Sequence, residues 1–200
     1  MDILGIVASP RKNGNTEILV NEALKEAANL GATTRLWTVA DKKIEGCTSC
    51  FACIPSGECI IDDDMNELYP LLQKADGIIF GSPVYFWNVT SQAKAIIDRT
   101  FSLWITKSLK GKVGGAIACT WTRGTTPALQ VINTFFSIQG MYTGGGFDVT
   151  VSGYCETVAP GTLITTGFEA DGKTPHNDPW AQARECASEM VNLINKLKGN

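Results

Sequence analysis

Four of the seven cysteines of this chain fall within one short stretch, which reads Cys47-Thr-Ser-Cys50-Phe-Ala-Cys53-Ile-Pro-Ser-Gly-Glu-Cys59. Their spacing is C-x2-C-x2-C-x5-C. Ordinary packing does not require such a group, because a buried structural cysteine behaves as a small hydrophobe and usually stands alone. The residues between the cysteines are mostly small, polar or turn-forming, which is typical of a loop. The stretch therefore predicts a metal or redox site on a loop.

Three chemistries fit four clustered thiols. Cubane iron–sulfur clusters are held by four thiolates, and the C-x2-C-x2-C run lets three of them reach three irons. Structural zinc more often uses two C-x2-C pairs separated by a longer spacer. Disulfides need an oxidising compartment or a regulatory role. The spacing favours an iron–sulfur cluster on Cys47, Cys50, Cys53 and Cys59, with zinc and redox-active thiols as the alternatives.

Composition narrows the class of protein. The chain has 200 residues, of which 44% are hydrophobic and 18% charged, with a net charge of −3. This length suits one domain over residues 1–200 with a full core. The charge gives no basic face for nucleic acid, and no apolar run approaches the roughly 20 residues that cross a bilayer. The N-terminus lacks the pattern of a signal peptide, so we expect a cytoplasmic protein with reduced thiols.

Apolar runs and helical patterns alternate along the chain. The short apolar runs predict five strands, over residues 3–8, 33–39, 77–81, 113–119 and 147–151. Helical spacing predicts five helices, over residues 15–30, 65–74, 91–101, 126–139 and 180–197. This alternation indicates a three-layer α/β fold with a five-stranded parallel sheet and helices on both faces. The cysteine-rich loop, residues 47–59, is inserted after the second strand.

The loop after the first strand contains groups that bind phosphate. Ser9, Arg11, Asn15 and Thr16 offer hydroxyls, an amide and a guanidinium beside the free N–H groups of a helix start. The loop matches neither the P-loop nor the dinucleotide fingerprint. The alternative is an ordinary polar turn in which Asn15 or Thr16 caps the helix.

Two further loops supply aromatic side chains at the same predicted sheet edge. Pro83, Val84, Tyr85, Phe86 and Trp87 follow the third strand, and exposed aromatics there indicate a stacked ring or a subunit contact. The loop after the fourth strand adds Thr120, Trp121 and Gly124. Ligands of such sheets bind at the carboxyl ends of the strands. One phosphate loop and two ring-binding loops describe a site for flavin mononucleotide (FMN).

At these residues the chain resembles the NAD(P)H-dependent FMN reductase family. The resemblance lies in the Ser-Pro-Arg…Asn-Thr loop, in Ala-Asp-Gly-Ile-Ile-Phe-Gly-Ser-Pro-Val-Tyr-Phe, and in the following Lys94…Asp98-Arg99. It covers residues 1 to about 125, and the compact cysteine group narrows it to the iron–sulfur flavoproteins. It implies a flavodoxin-like fold with strand order 2-1-3-4-5 and FMN as cofactor. In matching positions, Ser9, Arg11, Asn15 and Thr16 would bind the phosphate, and Pro83, Val84, Tyr85 and Phe86 would border the ring.

The resemblance also implies a 4Fe-4S cluster on the four cysteines, fed by ferredoxin, and homo-oligomers that complete each other's active sites. The aromatic residues 85–87 and the irregular segment 152–175 predict a homodimer or homotetramer. Two functions compete. In one, ferredoxin passes electrons through the cluster to FMN; in the other, NAD(P)H reduces FMN without a cluster, and FMN then reduces a quinone, a flavin or another small acceptor. A redox or metal sensor is the weaker third alternative. His176, the one histidine, is expected to face solvent, Cys119 and Cys186 to pack in the core, and Arg99 to form a structural ion pair.

Overall fold

A computed structural model describes residues 1–120, 124–143, 149–152 and 179–199. It contains six strands, β1 (Asp2–Val7), β2 (Thr33–Thr38), β3 (Gly77–Pro83), β4 (Val113–Thr120), β5 (Tyr142–Thr143) and β6 (Val149–Ser152). The helices are α1 (Asn15–Asn29), α2 (Cys53–Ser56), α3 (Met65–Lys74), α4 (Ser91–Arg99), α5 (Phe101–Ile105), α6 (Thr125–Ile138) and α7 (Pro179–Lys198).

The sheet has the predicted parallel order. Its strands lie in the order β2-β1-β3-β4-β5, and every pairing is parallel. The fifth position is shared by two segments, because β5 pairs with the start of β4 and β6 pairs with its end. The predicted strand over residues 147–151 therefore corresponds to β6, and its first two residues lie outside the described part of the chain.

Side chains of the central strands alternate between the two faces of the sheet, as the pleat requires. Leu4 and Ile6 of β1 pack in one core with residues of α3, α4 and α6. Ile3 and Val7 pack in a second core with residues of α1 and α7. This double burial explains why the sequence of β1 is continuously apolar, and it gives the three-layer, flavodoxin-like architecture.

The predicted helix over residues 91–101 is divided in two. Helix α4 ends at Arg99, and Thr100 lies between it and the short helix α5. The backbone N–H of Thr100 donates to carbonyls of the preceding turn, and its hydroxyl donates to the Ile97 carbonyl at 2.6 Å. Hydroxyl bonds of this kind compete with the helix ladder. The break places α5 beside the cysteine-rich loop, since α2 within that loop contacts α5.

Candidate functional site

The loops predicted to bind phosphate and ring follow neighbouring strands. Strands β1, β3 and β4 are adjacent and parallel, so their carboxyl ends meet at one edge of the sheet. Hydrogen bonds join the strand ends there: the N–H of Ala8 donates to the Gly81 carbonyl at 2.8 Å, and that of Val84 donates to the Cys119 carbonyl at 2.6 Å. The structure therefore brings the loops together as the sequence predicts.

The first of these loops presents the start of α1. Gly14 precedes the helix and no side chain caps it, so its first N–H groups and its positive dipole end suit an anion. Thr16 and Ser9 are buried, with 2% and 3% of their surface exposed. The Ser9 hydroxyl accepts a hydrogen bond from the backbone N–H of Arg11 at 3.2 Å, which folds the loop back on itself. Arg11 is exposed and Asn15 half-buried.

Two buried hydroxyls hold the edge of the sheet together. Thr90 donates from its hydroxyl to the Ala8 carbonyl at 2.7 Å, and the same oxygen accepts from the N–H of Ala93 at 3.0 Å. Its own N–H donates to the Ser82 hydroxyl at 3.2 Å. Thr90 is thus both the N-cap of α4 and a link between β1 and β3. Neither role was predicted from the sequence.

Residues 85–88 form a two-residue hairpin turn. The N–H of Tyr85 donates to the Asn88 carbonyl at 2.8 Å, and that of Asn88 donates back at 3.1 Å. Phe86 and Trp87 have φ values of 44° and 66°. Hairpin turns with two positive φ values strongly favour Asn and Gly, and each such bulky residue costs on the order of 1–3 kcal/mol. The turn holds Phe86 98% exposed and Trp87 58% exposed, which indicates a partner for these rings.

The third loop contacts this hairpin. Gly124 has a φ of 98°, and a Cβ on it would lie 3.1 Å from Val84 Cγ1 and 3.3 Å from Trp87 Cα. Thr120, at the end of β4, is buried. Gly124 therefore lets α6 begin directly against the hairpin. Trp121 lies outside the described residues, as do His176 and Cys155, and its predicted place beside the ring stays a prediction.

The four cysteines of the cysteine-rich loop line one cavity of about 340 Å³. Cys47 and Cys50 are exposed, and Cys53 and Cys59 are half-buried. The opposite wall comes from the end of α4 and from α5, with Asp98, Arg99, Phe101 and Ser102. Among the described residues, this lining includes none from the loop at residues 9–16 or from the 85–88 hairpin. The thiols and the phosphate loop therefore form separate parts of the surface.

The backbone of the cysteine-rich loop is held in an uncommon conformation. Ser49 and Phe51, on either side of Cys50, have φ values of 55° and 59°. The N–H of Ser49 points to Cys47 Sγ at 3.4 Å. Gly57 has a φ of 73° and ends α2, so it turns the chain back toward Cys59. Left-handed residues of this kind build the backbone concavities found at phosphate and iron–sulfur sites.

Arg99 is the largest fully buried side chain of the described residues. Its guanidinium donates to both oxygens of Asp63, at 2.7 and 3.2 Å, which confirms the predicted structural ion pair. It also donates to the carbonyls of Glu45 and Ile61 and, through Nε, to Cys59 Sγ at 3.2 Å. One side chain of α4 therefore contacts the residues just before Cys47 and just after Cys59.

Electrostatic interactions keep both Arg99 and Asp63 charged. Burial alone would raise the pKa of Asp63, but the bonds from Arg99 and from the N–H groups of Glu45 and Met65 outweigh it and lower the pKa. Burial likewise acts to lower the pKa of Arg99, and its bond to Asp63 more than compensates, so that pKa is raised.

At Cys53, burial raises the pKa, and negative charge on Cys59, Cys50 and Cys47 raises it further. Four thiolates gathered here would need a compensating cation.

Comparison with known proteins identifies the family. The model of the NADPH-dependent FMN reductase family matches residues 1–155. The chain belongs to the NADPH-dependent FMN reductase family. An iron-sulfur flavoprotein of Methanocaldococcus jannaschii is 43% identical over 152 residues, which are 75% of this chain and 79% of the relative. An iron-sulfur flavoprotein of Archaeoglobus fulgidus is 34% identical over an alignment of 203 residues, which covers 98% of this chain and 99% of the relative.

Solved structures of other flavoproteins share the fold of this family member. RosB with a bound riboflavin-phosphate intermediate superposes with a TM-score of 0.77 at 17% identity, covering 100% of this chain and 81% of RosB. A WrbA-like flavodoxin of Agrobacterium tumefaciens gives 0.64 at 15% identity, covering 98% and 97%. The flavodoxin-like fold is thereby confirmed, and with family membership the chain is a flavin-dependent oxidoreductase with FMN as cofactor. Within the described residues, no helix is both long and apolar enough to cross a bilayer.

The thiols of the cysteine-rich loop are suitable ligands for an iron–sulfur cluster, but the structure does not gather them closely enough to form a metal-binding set. Four thiols line one cavity, and thiolates are the ligands of such clusters. In the part of the chain that the structure describes, however, no three His, Cys, Asp or Glu side chains stand close enough together to hold a metal ion. Sequence reasoning also missed the second wall of the cavity, because Phe101 and Ser102 carry no signal of their own.

Proposed function

We propose that this family member is an iron–sulfur flavoprotein that transfers electrons between a protein donor and an acceptor through a 4Fe-4S cluster and FMN. The observation that carries the proposal is the lining of one cavity by Cys47, Cys50, Cys53 and Cys59. The names of the relatives in Methanocaldococcus jannaschii and Archaeoglobus fulgidus support it. When bound, the cluster exchanges single electrons and FMN exchanges one or two.

The chain supplies position and charge for this chemistry. The uncapped start of α1 and the buried hydroxyls of Ser9 and Thr16 bind the phosphate of FMN, together with Arg11 and Asn15. The flavin ring is bordered by residues of the loops that follow β3 and β4, namely Pro83, Val84, Tyr85, Phe86, Trp87, Thr120, Trp121 and Gly124. No protein base is needed, since flavin chemistry depends on how the reacting groups are placed.

A second candidate is an NAD(P)H-dependent FMN or quinone reductase that works without a cluster. A relative at 42% identity over 134 residues supports it, the NAD(P)H dehydrogenase (quinone) of Acidithiobacillus ferrooxidans. That match covers 64% of this chain and 67% of the relative. Here the four thiols would form a redox-sensitive loop.

The electron donor separates the two candidates. The protein is purified anaerobically with FMN and mixed with NADH, NADPH or a reduced ferredoxin while flavin absorbance is followed. The proposal expects fast bleaching with ferredoxin in the cluster-loaded protein and slow bleaching in protein stripped of iron. Fast bleaching by NADPH alone, unchanged by removal of iron, would contradict the relay and favour the reductase.

The phosphate assignment predicts weak flavin binding in two variants. Arg11→Ala and Thr16→Val each remove a hydrogen-bond donor from a dianion, and bonds to charged groups contribute about 1.5–3 kcal/mol. Each variant is therefore expected to bind FMN on the order of tenfold or more weakly. The measurement is flavin content after gel filtration and a fluorescence titration of the stripped protein. Full FMN retention in both variants would contradict the phosphate site.

Substitution of Gly81 is also expected to disturb the phosphate site. A Cβ at Gly81 would lie 2.6 Å from Val20 Cγ2 and 2.9 Å from Thr16 Cγ2, both on stiff β-branched side chains. Gly81→Ala is expected to push the first turn of α1 outward, to destabilise the fold by about 1–3 kcal/mol, and to weaken FMN binding. Gly77→Ala is the control, because its new Cβ meets the flexible ends of Ile194 and Met190 at the other end of β3. Equal FMN affinity in both variants would contradict the prediction.

Exposed apolar surface predicts a homodimer or homotetramer. A groove of about 720 Å³ runs between α4–α5 and α6 and includes Asn88 at the end of the hairpin; its apolar lining includes Phe101, Trp104, Phe135 and Ile138. Apolar patches of this kind mark interfaces. Light scattering is expected to show an oligomer that Phe86→Ser weakens. Leu197→Ser, on α7 across the sheet, should leave it unchanged, whereas a stable wild-type monomer with full FMN would contradict the prediction.

A further inference from the structure

We propose that Arg99 is a positioning residue for the iron–sulfur cluster, which fixes the ligand Cys59 and both ends of the cysteine-rich loop and raises the reduction potential of the cluster. This inference rests on the proposed function. It assigns to Arg99 a role beyond the ion pair with Asp63, because the ion pair alone does not require the contacts with the loop.

The hydrogen-bond donors of Arg99 reach both ends of the cysteine-rich loop. NH1 donates to the Glu45 carbonyl at 3.1 Å, and NH2 donates to the Ile61 carbonyl at 3.1 Å. These carbonyls lie two residues before Cys47 and two residues after Cys59. The planar guanidinium has a fixed fork geometry, so it holds the two ends of the loop at a set distance. Asp63 completes the arrangement, since its Oδ2 also accepts from the N–H of Glu45 at 2.8 Å.

Arg99 also forms a hydrogen bond with the sulfur of a cysteine in the loop. Nε of Arg99 donates to Cys59 Sγ at 3.2 Å, well within the length of an N–H···S hydrogen bond. Cys59 is six residues from Cys53, whereas the other neighbouring cysteines are only three residues apart, so it depends most on an outside contact for its placement. The buried Arg99 provides this contact from α4, which is anchored by the Thr90 cap and packed in the core.

The positive group of Arg99 would also affect the reduction potential of a cluster bound here. A cluster held by four thiolates carries net negative charge, and reduction adds one more electron. Hydrogen bonds to the sulfurs and nearby positive charge favour the reduced form and therefore raise the potential. Arg99 is 1% exposed, so water screens its charge weakly. Asp63 offsets part of this charge, so the main effect on the potential comes from the bond of Nε to the sulfur of Cys59, one of the four cysteines that line the cavity.

The test uses two substitutions at Arg99 in anaerobically reconstituted full-length protein. Arg99→Met removes the charge and all the bonds, and Arg99→Lys keeps a charge but loses the fork. Both are expected to hold iron roughly 10- to 100-fold more weakly against a chelator, as is typical for loss of an outer contact. The midpoint potential, measured by dye-mediated titration of the cluster absorbance, should fall in both and fall further in Arg99→Met. Arg184→Met is the control, because it removes an arginine–carboxylate pair, that with Glu22, on the opposite face of the sheet.

A second readout needs no cluster. In the metal-free protein, amide hydrogen exchange in residues 44–61 is expected to be faster in Arg99→Lys than in wild type, and unchanged in Arg184→Met. Wild-type potential and iron retention in both Arg99 variants would overturn the proposal. A wild-type protein that takes up no iron and sulfide would overturn the cluster part together with the proposed function. Unchanged exchange in metal-free Arg99→Lys would then separately overturn the claim that Arg99 orders the loop.

Discussion

Replacing Cys47, Cys50 or Cys53 by Ala, one at a time, is expected to abolish the absorption of the iron–sulfur cluster while FMN stays bound. A cubane cluster needs its thiolate ligands, and among the described residues the cavity that these cysteines line has no other thiol beside Cys59. FMN should remain because the phosphate loop and the hairpin are separate from this cavity. The measurement is the visible spectrum, with iron, sulfide and FMN determined in the same anaerobic samples.

Two other cysteines provide the controls for this experiment. Cys119 and Cys186 are buried in the core on the α1–α7 face of the sheet, as the sequence predicts. Cys119→Ala and Cys186→Ala should keep both the cluster and FMN and should lose only some stability. A cluster that persists at full occupancy in all three loop variants would contradict the ligand assignment.

Asp63→Ala is expected to destabilise the fold by about 3–5 kcal/mol, the typical cost of removing one partner of a buried ion pair. Asp63 accepts from Arg99 and from the N–H groups of Glu45 and Met65. Its loss would leave a buried guanidinium without its counter-charge and the start of α3 without a capping carboxylate. The measurement is urea unfolding of metal-free, reduced protein, so that the cluster does not contribute to the free energy.

The matched control removes a more exposed ion pair. Glu22→Ala breaks the bond to Arg184, whose side chain is 41% exposed, and is expected to cost under about 1 kcal/mol. A loss for Asp63→Ala no greater than for Glu22→Ala would contradict the prediction. Because the pKa of Asp63 is lowered in the fold, its contribution is present above the ordinary pKa of Asp. It is lost as pH falls below about 4 through the folded value.

Much of this fold could be predicted from sequence because its signals are local. The apolar run at the start of the chain predicts a strand covered on both faces, and β1 has this burial. Gly31, just after the predicted helix over residues 15–30, is typical of a helix end, and its φ of 88° agrees with that role. The strand order followed from the resemblance to the family, and the pairing pattern confirms it.

The features that sequence reasoning missed depend on distant contacts. Arg99 and Cys59 are 40 positions apart, and no local pattern links them. The break between α4 and α5 at Thr100, and the division of the fifth sheet position between β5 and β6, depend on packing against neighbouring elements. Phe86 and Trp87 are predicted to border the flavin ring. Nothing in the sequence indicates their positive φ values, which bulky residues rarely adopt. Such departures are expected at functional sites.

The central prediction is that the four cysteines bind one iron–sulfur cluster in a chain that also binds FMN. The most direct test is an anaerobic preparation in which iron, acid-labile sulfide, zinc and FMN are determined per chain. We expect about four iron, about four sulfide and about one FMN, with broad cluster absorption added to the flavin spectrum. FMN at full occupancy without iron or sulfide, or about one zinc per chain in their place, would contradict it.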